Sequence, residues 1–126
     1  MERLPKRIQR KRVKGWKIPE NTIYVGRPSK WGNPIKIYED CIFINISWRR
    51  KILNPWIFYC HGNIEDVVNL FERFLDGTEF YNEDLQHWAD YFKNLDINEL
   101  RGKDLSCWCG LTRPCHANVL LKYANK

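Results

Sequence analysis

The chain has 126 residues, of which 44% are hydrophobic and 14% aromatic, and its formal net charge is +6. That length fits one domain with a core of its own. No stretch approaches the ~18 apolar residues of a membrane span, and the first residues lack the apolar region of a secretory signal. We therefore expect a cytoplasmic protein with no membrane partner, whose five cysteines are reduced thiols.

Positive charge is concentrated at the beginning of the chain. The first 17 residues contain eight Lys and Arg and one acid, whereas the remainder contains 13 basic and 14 acidic residues. This pattern predicts a basic, flexible or extended arm over residues 1–21, ahead of a globular domain over residues 22–126. Such an arm suits the phosphate backbone of DNA or RNA, and a solvated tail is the alternative. The candidate contacts are Arg7, Arg10, Lys11, Arg12 and Lys14.

The remaining chain alternates between strand and helix patterns. β-Branched and alternating segments predict strands at 22–25, 35–38, 42–46 and 56–60. Apolar residues at helical spacing predict a helix between Asn63 and Gly77 and a second over 83–93, followed by a helical turn at 96–99. A buried strand at 105–109 and a helix at 115–125 close the chain. We expect an α/β or α+β fold in one compact domain, with a small mixed sheet flanked by three to four helices.

The last strand, loop and helix carry Cys107, Cys109, Cys115 and His116, spaced as C-x-C-x5-C-H. Four soft ligands within ten residues are suited to zinc, although two neighbouring residues of a helix point about 100° apart, which would strain a closed site. A thiolate at Cys115, at the start of a helix and with His116 as proton carrier, is a second hypothesis. The third is that the cysteines pack in a small core. The sequence leaves the three open.

The loop after the first predicted strand is the second candidate site. Arg27 and Lys30 are suited to phosphate or carboxylate, and Ser29 and Asn33 supply hydrogen-bond donors and acceptors. Trp31 is suited to stacking on a nucleobase. A structural turn with Trp31 buried as a plug is the alternative.

A catalytic role for this region would need a general base. Glu20, Glu39 and Asp104 are the plausible carboxylates, and Asp104 is the best placed because it directly precedes the buried strand. The candidate catalytic residues are therefore Cys115, His116 and Asp104, and whether the protein is an enzyme stays open.

Three segments together resemble the DUF4326 family, a domain of unknown function found in phages, other viruses, bacteria and archaea. They are Pro5–Ile8 continuing to Tyr24–Pro34, then Leu100–Cys109, and Pro114–His116. The resemblance implies a compact α/β domain, from which we infer that the two motifs meet at one pocket. The Cys-His ending is also similar to DUF488 domains. Neither resemblance supplies a reaction. Asn118, a further candidate ligand-binding residue, stands where the DUF4326 pattern usually has Asp. If that Asp is a catalytic carboxylate, the activity here would be altered, whereas Asn can replace an Asp that only orients the histidine or caps the helix.

Three functions fit these features. The first, which we favour at this point, is binding or processing of a nucleotide-like small molecule at a pocket formed by the two motifs. The second is a DNA- or RNA-binding accessory protein that uses the basic arm and a structural Cys/His site. The third is a viral interaction or sequestration protein, acting in the host cytoplasm.

Overall fold

Six strands and three α-helices make up the described chain, residues 4–49 and 53–126 of a computed structural model. The strands are Arg7–Gln9 (β1), Thr22–Tyr24 (β2), Ile35–Tyr38 (β3), Cys41–Asn45 (β4), Trp56–His61 (β5) and Asp104–Cys107 (β6). The helices are Ile64–Leu75 (α1), Glu83–Lys93 (α2) and His116–Ala124 (α3), and 3₁₀ turns lie at Ser47–Arg49 and Ile97–Leu100. The strands form two three-stranded sheets, one parallel and one antiparallel, so the predicted α+β class is confirmed.

Residue contacts group the chain into two units. The first contains the chain up to Gly32 and from Asp96 onward, and the second runs from Asn33 to Leu95. The boundary predicted between an arm over residues 1–21 and a domain over 22–126 stays a prediction. Part of that arm, however, is the strand β1.

The first unit is built on a parallel sheet in the order β1-β6-β2. Gln9 pairs with Cys107 on one side of β6, and Tyr24 pairs with Ser106 on the other. All four residues of β6 are buried, as is typical of a central parallel strand. Because the three strands are parallel, their carboxyl ends lie at one side of the sheet, here called the carboxyl edge, and their starts lie at the amino edge.

Helix α3 packs on the parallel sheet and on the 3₁₀ turn Ile97–Leu100. Its buried residues recur at helical spacing and are His116, Ala117, Val119, Leu120 and Ala124. The helix therefore returns the chain across β6, directly after the loop that follows that strand.

The second unit is an antiparallel sheet, β3-β4-β5, with α1 and α2 packed on it. Ile44 of β4 faces Ile35 on one side and Ile57 on the other. Phe92 of α2 contacts two rings of α1, with centroid distances of 5.1 Å to Phe71 and 5.9 Å to Phe74. This aromatic cluster fills the space between the two helices.

Across residues 4–49 and 53–126, none of the helices combines the length and the apolar character that crossing a membrane requires.

Helix α1 begins with a capping box, which allows a direct test of the second unit. The Asn63 side chain accepts a hydrogen bond from Asp66 N–H at 3.0 Å, and the Asp66 carboxylate accepts one from Asn63 N–H at 2.8 Å. We expect Asn63→Ala to lower the free energy of unfolding by about 1 kcal/mol, because an N–H at the helix start loses its acceptor. Urea denaturation measures the change.

The matched control is Asn69→Ala, an exposed position of the same helix. It should leave stability unchanged or slightly raise it, because alanine is the better helix former. Equal losses from both substitutions would contradict the capping role.

Candidate site at the carboxyl edge of the parallel sheet

The carboxyl edge collects the residues that directly follow three strands. Arg10 follows β1, the Val25–Arg27 segment follows β2, and Trp108 and Cys109 follow β6. Two backbone hydrogen bonds extend the pairing beyond the strands, from Arg10 N–H to the Cys107 carbonyl (2.7 Å) and from Val25 N–H to the Ser106 carbonyl (2.9 Å). Ligands of parallel sheets commonly bind at this edge. The sheet thus brings the basic arm, the loop after β2 and the cysteine motif together.

Three thiols meet at this edge and are called here the thiol cluster: Cys107, Cys109 and Cys115. Their sulfur atoms all lie within 4.8 Å of one another, and the Sγ atoms of Cys107 and Cys115 are 3.3 Å apart. Cys107 and Cys115 are buried, whereas Cys109 is half-buried. A set of sulfur ligands this close together could hold a metal ion.

The three thiols differ in how readily they ionise. Interactions with the thiols of Cys107 and Cys115 lower the pKa of Cys109, and His116 and Arg7 lower it further. The pKa of Cys107 is raised, chiefly by its interaction with the Cys109 thiol, next by that with Cys115, and also by burial. The contact with Cys107 lowers the pKa of Cys115, but the contact with Cys109 and burial outweigh it, so that the net shift is upward. Negative charge in the cluster is therefore favoured on Cys109.

His116 lies beside the cluster and is only 7% exposed. Its Nε2 is 2.8 Å from the Val25 carbonyl oxygen, and its Nδ1 is 3.5 Å from Cys115 Sγ. A carbonyl only accepts hydrogen bonds, so Nε2 is the donor. Burial lowers the pKa of His116, although hydrogen bonds to the backbone of Val25 and of Trp31 and the negative charge of Cys109 favour the protonated ring.

Arginine side chains and two aromatic rings also lie at the carboxyl edge. The Arg10 guanidinium lies 4.8 Å from the Tyr24 ring centroid and 5.1 Å from that of Trp108, and Arg12 lies 4.6 Å from the Trp108 centroid. Arg7 donates to the Gly110 carbonyl through Nη2 (2.9 Å), while its buried Nη1 has no hydrogen-bond partner among the described residues. Burial lowers the pKa of Arg27, and interactions with Cys109 and Tyr24 oppose that shift. We call Arg7, Arg10, Arg12 and Arg27 the arginine surface.

Most polar residues of the loop after β2 have structural contacts. The Asn33 Oδ1 accepts from Ile35 N–H at 2.9 Å, and Lys30 forms an ion pair with Glu99 at 2.6 Å. Trp31 is 2% exposed, which corresponds to the plug alternative rather than to an open stacking platform. Ser29 Oγ is buried and has no hydrogen-bond partner in the described ranges 4–49 and 53–126.

Arg27 is thus the loop residue that the structure brings to the thiols. Tyr24 fixes the start of this loop, because its hydroxyl donates to the Arg27 carbonyl at 2.6 Å. Gly32 allows the loop to close: a Cβ there would lie 2.9 Å from Cγ of Arg27.

Asp104 lies at the opposite, amino edge. It begins β6 and is 3% exposed, and its Oδ1 accepts from Lys6 N–H at 2.9 Å. Cys107 lies three positions further along the strand, about 10 Å away. Asp104 lines a separate cavity of about 560 Å³ at the amino edge, together with Leu4, Pro5, Asn21, Arg101, Gly102 and Asn125. The structure therefore brings Cys115 and His116 together but places the third catalytic candidate elsewhere.

The remaining candidates lie at the surface. Asn118 is exposed on the first turn of α3, where its N–H donates to the Cys115 carbonyl at 3.0 Å. Lys11 and Lys14 are exposed on the segment after β1. Tyr24 and Trp108 were not among the candidate site residues predicted from the sequence. Their position, directly beside the predicted ends of β2 and β6, is the signal that could have found them.

The fold and the site define a small α+β protein with a Cys/His motif at the carboxyl edge of a parallel sheet. The chain belongs to the family described as a domain of unknown function (DUF4326), whose model matches residues 8–126. The comparisons with curated proteins and with solved structures gave no match. The resemblance inferred from the two motifs is confirmed. Because the family description names no activity, a function can be inferred only from the geometry of the site.

The ionisation order of the thiols can be tested by alkylation. In chelator-treated protein at pH 7, we expect iodoacetamide to modify Cys109 before Cys107 and Cys115. A lowered pKa keeps Cys109 as thiolate below the ordinary thiol pKa of about 8.5, whereas raised pKa values keep the other two protonated. Peptide mapping by mass spectrometry measures the order.

Arg7→Ala should slow the modification of Cys109, since it removes a positive charge that lowers that pKa. Cys60, whose pKa is raised by burial, is the internal control. Preferential labelling of Cys115 would show that the helix start, rather than the arginine surface, governs the cluster.

Proposed function

We propose that the chain binds nucleic acid, with the phosphate backbone lying on the arginine surface at the carboxyl edge. The observation that carries this proposal is the position of two arm guanidinium groups, those of Arg10 and Arg12, against the Trp108 ring at the carboxyl edge. Arginine is the side chain best suited to phosphate, because its planar guanidinium offers several donors in a fixed geometry. This choice replaces the pocket hypothesis as the leading one, since Trp31 is buried and Lys30 is paired.

The distribution of charge between the two units supports a polyanionic partner. The first unit contains fifteen Lys and Arg and five Asp and Glu, a net charge of +10. The second contains six basic and ten acidic residues, a net charge of −4. The overall charge of +6 therefore understates the positive potential of the first unit, which favours attraction of a phosphate backbone.

Trp108 adds an aromatic group to this surface. It is 39% exposed, and Arg10 and Arg12 both lie against its ring. Exposed aromatic rings among arginines are typical of surfaces that bind single strands, where bases stack while cations hold the backbone. Single-stranded DNA or RNA is therefore the form that we propose.

A nucleotide-like small molecule is the second candidate. The observation that favours it is local: Arg7 donates to the Gly110 carbonyl just after β6 at 2.9 Å, and it also lowers the pKa of Cys109. A single phosphate held there would need neither Lys11 nor Lys14. We propose no reaction for either ligand, and the viral interaction hypothesis and the cytoplasmic location stay predictions.

We also propose zinc as the ion for the thiol cluster. Cysteine sulfur is the preferred protein ligand of structural zinc, and the three sulfur atoms already lie near one another. Zinc would link the end of β6 to the start of α3. It would thereby hold in place the carboxyl edge, where the arginine surface lies.

The binding proposal is tested by salt dependence with a fluorescein-labelled single-stranded oligonucleotide. We expect the affinity to fall with salt, and Arg10→Ala/Arg12→Ala to weaken binding at every salt concentration. The slope of log affinity against log salt should decrease by roughly 1.4, because each lost contact to a single strand contributes about 0.7. Fluorescence anisotropy provides both quantities.

The control removes two charges from the second unit, Arg73→Ala/Lys93→Ala, and should leave the slope unchanged. The same assay with ATP and AMP as competitors separates the two ligand classes. Mononucleotides that displace the oligonucleotide at micromolar concentration would favour the small-molecule candidate. An oligonucleotide affinity that is indifferent to salt, or to the loss of Arg10 and Arg12, would overturn the proposal.

A further inference from the structure

We propose that His116 Nδ1 is the fourth ligand of the thiol cluster, so that the cluster is a closed Cys₃His zinc site with a structural role. This inference rests on the proposed zinc and extends it from the identity of the ion to the completeness of its coordination. It does not depend on the proposal that the chain binds nucleic acid, and that proposal does not depend on it.

The first support is the distance between His116 and the thiols. Zinc–sulfur bonds of about 2.3 Å and zinc–nitrogen bonds of about 2.0 Å, at tetrahedral angles, place the nitrogen about 3.5 Å from each sulfur. His116 Nδ1 is 3.5 Å from Cys115 Sγ. The sulfur atoms of Cys107 and Cys115, at 3.3 Å, need to separate by about 0.5 Å to reach the tetrahedral value. The distance from His116 Nδ1 to Cys115 Sγ is therefore already the one that zinc requires, whereas the group of mutually close ligand atoms comprises the three sulfur atoms alone, so the ring would have to move toward Cys107 and Cys109 on binding.

The second support is the orientation of the ring. His116 Nε2 donates to the Val25 carbonyl at 2.8 Å, and this bond directs Nδ1 toward the cluster. Metal-ligating histidines commonly donate their other nitrogen to a carbonyl or a carboxylate, which fixes the ring and selects the tautomer. Val25 directly follows β2, so the parallel sheet itself holds the fourth ligand in place.

The third support removes the strain expected from the sequence. Two adjacent helical residues would point about 100° apart, which argues against both reaching one ion. Cys115, however, is the residue before α3 and has an extended backbone, with φ −150° and ψ 146°. The helical spacing therefore does not apply to the pair, and the two side chains approach each other.

The closed site excludes one role and favours another. Catalytic zinc keeps a coordination position for water, whereas four protein ligands leave none. Zinc held in this way would fasten the loop between β6 and α3 at both ends, with Trp108 carried between two of the ligands.

The test is long-range ¹H–¹⁵N NMR of the histidine rings in zinc-loaded wild-type protein, with metal content measured by elemental analysis. We expect one zinc per chain, a protonated Nε2 and a metal-bound Nδ1 for His116. The second measurement is zinc affinity of His116→Gln by chelator competition. The affinity should fall by more than the ~10–100-fold that loss of an outer-shell partner costs. His61→Gln is the matched control, because His61 Nδ1 also lies near a thiol, 3.7 Å from Cys41 Sγ, and it should leave zinc affinity unchanged.

The outcomes separate the two proposals. No zinc in the wild type would overturn both the proposed ion and its fourth ligand. One zinc per chain with a metal-free Nδ1 on His116 would retain the ion and overturn this inference. An affinity loss for His116→Gln of only ~10–100-fold, with a metal-free Nδ1, would assign His116 to the outer shell.

Discussion

The structure of the first unit depends on the parallel pairing of β6 with a strand on each side. β6 is only four residues long and is fully buried, so its backbone groups need partners on both sides. Those partners come from residues about 80 to 100 positions earlier in the chain, through the pairs Gln9–Cys107 and Tyr24–Ser106. This ladder sets which residues reach the carboxyl edge. Without it, neither the arm nor the loop after β2 would meet the cysteines.

Two arginines of the arginine surface, Arg7 and Arg27, interact electrostatically with the thiol of Cys109. Arg7 lowers the pKa of Cys109, and Cys109 in turn opposes the effect of burial on Arg27. A zinc ion with three thiolates and one neutral imidazole would carry a charge of about −1. Four arginines exceed that charge, so the surface stays positive when the metal site is filled. The proposed zinc and the proposed phosphate ligand are therefore compatible in charge.

Local patterns in the sequence predicted most of the elements but little of the site. β3 and α2 have the predicted bounds, because alternation and helical spacing are local signals. β1 was not predicted, since Arg-Ile-Gln has no strand pattern of its own and is held by pairing with distant β6. The same dependence on residues far away in the sequence explains why the predicted roles of Trp31 and Asp104 differ from their positions in the fold. Residue type suggested ligand contacts for both, whereas burial of one and the position of the other at the amino edge became evident only from the fold.

The two units carry net charges of opposite sign, and this difference indicates which unit a polyanion would approach. The arm over the first 17 residues contributes a net +7, but the first unit reaches +10 because Arg27, Lys30 and five basic residues after position 100 join it. Sequence order disperses these side chains, and the fold collects them into one unit. A polyanion is attracted to this unit and repelled by the acidic second unit, so long-range forces favour approach to the first. If the chain binds nucleic acid as proposed, the acidic unit would contribute to specificity by making the alternative surface unfavourable.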